Sequence, residues 1–151
     1  MDNFWQDFWA QDGTGKERIL SLPYPPSVNH LWRHVVIRGA VRTLISSDGR
    51  KYKDAVRKQV FTQLGLDVAP LSGRLVVALI VYPPDRRRRD IDNIFKVLGD
   101  ALSPEKGKVR GFPGLWLDDS QIDILHVERG PVHREGGYVR VHVREIAGGA
   151  A

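Results

Sequence analysis

Apolar positions along this chain change period several times, and each change marks an element. From Leu75 to Tyr82 the chain is apolar on both faces, the pattern of a central strand covered on each side. From Tyr138 to Glu145, Val139, Val141 and Val143 alternate with Tyr138, Arg140, His142 and Arg144, as in a half-buried antiparallel strand. Gln121 to Glu128 reads as another strand. Arg18 to Leu22 reads as a short first strand, ended by Pro23-Tyr24-Pro25-Pro26. Val35 to Ile37 and Val41 to Ile45, joined around Arg38-Gly39, predict a hairpin or a mobile flap.

Two stretches follow the helical period instead. Tyr52, Val56, Val60, Phe61 and Leu64 form one stripe of a helix over about residues 48–64, with Ser46-Ser47-Asp48 as N-cap candidates and Gly65 as a stop. In Ile91 to Leu102, the residues Ile94, Val97, Leu98, Ala101 and Leu102 share one side, while Asp92, Lys96 and Asp100 share the other. Ser103 to Gly114, rich in glycine, proline and charge, reads as a loop. The order strand, hairpin, helix, strand, helix, strand, strand predicts an α+β fold: one small domain, a mixed β-sheet packed with two main helices. Residues 18–146 are expected to form that domain, 1–17 an extension and 147–151 a flexible tail. Phe4, Trp5, Phe8 and Trp9 recur at helical spacing in the extension. It reads either as a peptide that docks a partner or as a tail whose aromatics pack on the domain.

Composition narrows the function. The 151 residues are 42% apolar, enough for one globular core, and 23 Lys and Arg against 18 Asp and Glu leave a charge of +5. That balance favours an acidic partner such as nucleic acid. With no cysteine, disulfides and thiolate-bound zinc are excluded. No apolar run is long enough to span a bilayer, and Met1-Asp2-Asn3-Phe4 lacks the basic start of a signal peptide. A cytoplasmic protein with no membrane partner is expected.

The candidate chemistry lies in Asp85-Arg86-Arg87-Arg88-Arg89-Asp90-Ile91-Asp92-Asn93, at the end of the predicted central strand. Four consecutive arginines suit a phosphodiester backbone. Asp90 and Asp92 repel one another unless arginines or a divalent cation intervene, and Mg²⁺ suits one or two carboxylates plus phosphate oxygens. Lys96, one turn beyond Asp92, is placed to stabilise charge on a phosphate, or orient or deprotonate a water. Taken singly, Asp92 is equally explained as an N-cap and the Asp92–Lys96 spacing as a solvated surface pair. Trp116-Leu117-Asp118-Asp119 reads as a fixed corner with a buried aromatic and leucine, and one of its acids is placed to complete a metal site; an ordinary turn is the plain alternative. Lys51 and Lys53, with Arg50, Arg57 and Lys58, make the first helix basic: a solvated face or a grip on phosphates. His30, His34, His126, His133 and His142 show no metal-ligand spacing.

Three blocks resemble the RusA family of Holliday-junction resolvases, covering roughly residues 18–146. They are Leu22-Pro23-Tyr24-Pro25-Pro26-Ser27-Val28-Asn29 with Trp32-Arg33-His34, then Pro84 to Asn93 with Lys96, Asp100, Ala101 and Leu102, then Trp116-Leu117-Asp118-Asp119 with Gln121. The resemblance implies that Asp90, Asp92 and Asp119 are Mg²⁺-binding catalytic acids, with Asp118 as an assisting neighbour and Lys96 as a catalytic lysine. It implies a homodimer making paired symmetric nicks across a four-way DNA junction, in recombination and repair. Arg86, Arg87, Arg88, Arg89, Asn29, Arg33, Lys51 and Lys53 are the candidates for DNA contact. Two departures stand out: Ser103 to Gly114 looks long for the family, and the extension through Glu17 has no counterpart. Two rival readings use the same residues: a nuclease of forks or flaps, and a branched-DNA-binding protein without catalysis.

Overall fold

The computed structural model describes residues 5, 6, 8, 13–27, 30 and 32–150. Phe4, Trp9 and Asn29 lie outside the described residues. The elements are β1 (Gly13–Pro23), β2 (Trp32–Ile37), β3 (Ala40–Ile45), α1 (Ser47–Leu64), β4 (Gly73–Tyr82), α2 (Ile91–Leu102), a 3₁₀ turn (Asp119–Gln121), β5 (Ile122–Arg129) and β6 (Tyr138–Ala150). Four strands form one mixed sheet in the order β1-β6-β4-β5. β6 runs antiparallel to both β1 and β4, and β4 pairs parallel with β5. The parallel pair needs a crossover, and α2 with the loop after it supplies one.

The alternation read from sequence sorts the sheet into two faces. Leu75, Val77, Leu79 and Val81 of β4, with Val139, Val141 and Val143 of β6, pack with Val56 and Val60 of α1 and Leu98, Ala101 and Leu102 of α2. Each of these valines and leucines taken out of water contributes on the order of 1.5–3 kcal/mol. The opposite-facing Val76 and Ala78 are equally buried, covered by Phe8, Trp5 and Ile146. For Trp5 and Phe8, then, the reading of a tail packed on the domain holds.

Several boundaries differ from expectation. β1 begins at Gly13, not Arg18, because a bulge between Gly13 and Glu17 lets the glycine-containing stretch keep pairing with β6. β6 continues past Glu145 to Ala150, where it meets Gly73 at the start of β4. The cap of α1 is Ser46, whose hydroxyl accepts from Gly49 N at 3.0 Å. The hairpin β2–β3 forms a sheet of its own. The long loop after α2 folds back: Glu105 N donates to Phe112 O and Leu115 N to Leu102 O, both at 2.8 Å. Phe112, Leu115 and Trp116 are thereby carried into the core. Among the described residues, no helix is long and apolar enough to cross a membrane.

Candidate active site and nucleic-acid interface

Helix α2 opens with two acids that do no capping work. Asp90 is the N-cap residue, in extended conformation, yet its side chain makes no cap hydrogen bond, and Asp92 lies inside the helix. The capping explanation for Asp92 therefore fails. So does the surface pair, because no ion pair links Asp92 to Lys96. Among the described residues, the side chains of Asp90, Asp92 and Lys96 enter no hydrogen bond or ion pair at all. Neighbouring acids are treated differently. Asp100 is held by Lys53 at 2.7 Å, Glu105 by Arg57 at 3.2 Å, and Asp123 by Arg74. Asp85 is clamped by Arg89, whose guanidinium bonds hold its carboxyl down at about 2. Charge is neutralised around α2 and left uncompensated at its opening turn.

The corner before β5 brings Asp119 onto the same helix. At about 100° per residue, Asp92, Lys96, Gly99 and Ser103 lie on one stripe of α2. Asp119 packs over Gly99 so closely that a Cβ there would stand 3.3 Å from Oδ2. Trp116 Nε1 donates to Asp119 Oδ1 at 2.7 Å, and Ser103 Oγ donates to the same oxygen at 3.3 Å. Oδ2 accepts no hydrogen bond among the described residues. Trp116 is fully buried as expected, whereas Leu117, expected to be buried with it, is 52% exposed. The turn needs only one large anchor.

That corner is fixed from beneath by Gln121. Its Oε1 accepts from Leu117 N at 2.7 Å and Asp118 N at 2.8 Å, and its Nε2 donates to the Leu71 and Gly73 carbonyls, both at 2.9 Å. A buried amide satisfied on both ends costs little and orients everything it touches. Asp118 completes the reciprocal cap by accepting from Ser120 N at 2.8 Å. The Ser120 bonds hold its carboxyl below the ordinary range. Sequence reasoning gave Gln121, Ser103 and Gly99 no role. The Asp118-x-x-Gln121 spacing of a capping box was the available signal for the first.

Two grooves flank α2. One is lined by Tyr24, His30, Arg87, Arg88, Arg89, Asp90 and Asn93, the other by Arg50, Lys53, Arg57, Lys106, Lys108, Asp118 and Asp119. Asp90 thus faces the first groove and Asp119 the second. The arginine run is not uniform. Arg89 is bound to Asp85, its carbonyl accepts from Arg129 Nη2 at 2.6 Å, and its guanidinium lies over the Tyr24 ring at 5.6 Å. Arg86, Arg87 and Arg88 are exposed, the Arg87 guanidinium keeping only a loose 3.5 Å contact with Asp85 while its backbone N donates to the same carboxylate at 2.9 Å. Arg33 and Lys51 are exposed, whereas Lys53 is engaged by Asp100.

The donor chemistry suits a hard divalent cation: uncompensated carboxylates beside an anion-holding surface. The geometry of one chain is only partly suitable. Among the described residues, no three acidic or histidine side chains come close enough to share an ion. The reason is the helix itself. Gly99 follows Asp92 by seven residues, about 10 Å of helix rise, and Asp119 is tied there. One chain therefore presents acid, ammonium and acid in a row, not a closed chelate.

Uncompensated acids bracketed by basic grooves, on a small basic α+β domain, are the outline of a nucleic-acid hydrolase. Comparison with known proteins gives the lineage. The family described as endodeoxyribonuclease RusA matches residues 23–144. The crossover junction endodeoxyribonuclease RusA of Enterobacteria phage HK97 is 41% identical over 125 residues, 83% of this chain and 92% of the relative. Its namesakes from Shigella sonnei strain Ss046 and Enterobacteria phage 82 are each 36% identical over 127 residues; the Shigella match spans 84% of this chain and 93% of that relative. The chain belongs to the RusA family of endodeoxyribonucleases.

Proposed function

We propose that this protein is a Mg²⁺-dependent endonuclease that resolves four-way DNA junctions by paired symmetric nicks, acting as a homodimer in recombination and repair. The observation that carries the reading is the row along α2, the unpaired Asp92 and Lys96 and then Asp119 with its Oδ2 open, set between two basic grooves. The names of the relatives supply the substrate: they are crossover junction endodeoxyribonucleases.

In this reading Asp90, Asp92 and Asp119 are the residues that would hold Mg²⁺, which when bound would supply Lewis-acid activation of a phosphate and a water. Lys96 directs its ammonium at the charge that develops on the phosphate. Trp116 and Ser103 keep Asp119 aimed by occupying Oδ1 and leaving Oδ2 open. Asp118 keeps its capping role. Arg86, Arg87 and Arg88, with Arg33, Asn29 and Lys51, hold backbone phosphates, while Arg89 and Lys53 act mainly as struts. Two equivalent strands must be cut together, which a two-fold dimer does with one site per strand.

The test is Asp92→Asn on a synthetic mobile junction. Binding is expected to persist, since one negative charge is removed from a DNA-facing surface, while nicking in Mg²⁺ disappears. Parental cleavage by Asp92→Asn would show that the site is wrongly assigned.

A further inference from the structure

Among the described side chains of the hairpin β2–β3 none is fully buried, yet it carries apolar side chains at its free end. Val36 and Val41 are directly paired across the strands and are 72% and 70% exposed. Ile37, beside the turn, is also exposed. The turn is a two-residue Arg38-Gly39 loop with both φ angles positive, which fixes the register and hence the valine pair. The root of the hairpin sits at the proposed DNA-binding surface: His30 lines one groove beside α2 and Ile45 lines the other. Four residues separate Ile45 from Val41, so the tip stands about 13 Å beyond the root at ~3.3 Å per residue. That reach exceeds the depth of either groove of a duplex, about 7.5–8.5 Å.

Charge identifies the occupant. From His30 to Ser47 the chain has Arg33, Arg38 and Arg42, two histidines and no acid. By register, His34–Thr43 and Val36–Val41 share one face, while Arg33 and Arg42 lie on the other. An apolar pair flanked by cations fits a polyanion whose interior is apolar, and that is stacked base pairs inside a phosphate backbone. A duplex hides those faces, but a branch point exposes them where helices end. Resting on the proposed junction function, we infer that the β2–β3 hairpin is a branch-point wedge: Val36 and Val41 insert against unstacked base pairs while Arg33, Arg38 and Arg42 hold the adjoining phosphates.

The plain alternative is that the valine pair only stabilises the hairpin. The variant V36T/V41T separates the two, because threonine keeps the β-branched shape and strand preference while adding a hydroxyl that resists apolar insertion. The probe is a four-way junction carrying 2-aminopurine beside the crossover, titrated with the full chain in chelator so that the DNA stays uncut. Wild type is expected to raise the fluorescence, reporting unstacking. V36T/V41T is expected to lose most of that rise and about fivefold in junction affinity, with unchanged binding to linear duplex. Equal fluorescence and affinity for the two proteins would overturn the wedge while leaving junction binding intact. Failure of wild type to prefer junction over duplex would remove the proposed function and the wedge with it.

Discussion

Replacing Gly99 by alanine separates the stability of α2 from the placement of Asp119. Alanine in a helix interior is favoured over glycine by about 1 kcal/mol. For a domain of this size, that corresponds to roughly 2–4 °C in melting temperature. The new methyl would stand 3.3 Å from both Asp119 Oδ2 and Phe95 Cζ. Phe95 lies at the edge of the core and can turn. Asp119 is exposed but anchored through Oδ1 by Trp116 at 2.7 Å, so its free oxygen must swing away from the stripe shared with Lys96. A displacement of a few tenths of an ångström is small for packing but not for chemistry, where about 1 Å costs on the order of a hundredfold. Gly99→Ala is therefore expected to melt at or slightly above the wild-type temperature and to cleave junctions about tenfold more slowly. Circular-dichroism melting and single-turnover cleavage in Mg²⁺ measure the two effects. Wild-type cleavage by the more stable variant would mean that the seat of Asp119 over Gly99 is irrelevant to catalysis. A large drop in melting temperature would mean that the corner cannot yield at all.

The arginine run divides by structure. Arg87→Ala is expected to weaken DNA binding and reduce the slope of log affinity against log salt by about 1, without changing stability; an unchanged slope removes Arg87 from the interface. The Asp85–Arg89 clamp predicts a pH signature. Because the folded-state carboxyl sits at about 2, below its ordinary value of 3.8, its stabilisation is complete above the ordinary value and fades as pH falls toward 2. Asp85→Asn should thus be less stable than wild type at neutral pH, with the difference shrinking as pH falls from about 4 through 2; a gap that does not shrink over that range contradicts the clamp.

How far the sequence could be read depended on where each constraint lies. The two sheet faces followed from alternation in β4 and β6, because burial acts on every second residue of the same strand. The stripe of α2 followed from its period for the same reason. The seat of Asp119 did not, since it requires Gly99, Ser103 and Trp116 to meet across a loop whose path no local pattern encodes. The helix rise that separates Asp92 from Gly99, and so from Asp119, is likewise invisible in a pattern of acids along the chain. Arg89 and Lys53 looked like free cations because their partners, Asp85 and Asp100, take them up only once the chain has folded.

Trp5 and Phe8 pad the sheet on the side away from the helices, and this gives the protein a front and a back. Everything that meets the nucleic acid in the proposed reading, α2, both basic channels and the hairpin root, belongs to the front. A bulky label or surface tether attached through the exposed Gln6, next to Trp5, would sit behind the sheet. Immobilised in that way, the molecule would present its working side outward.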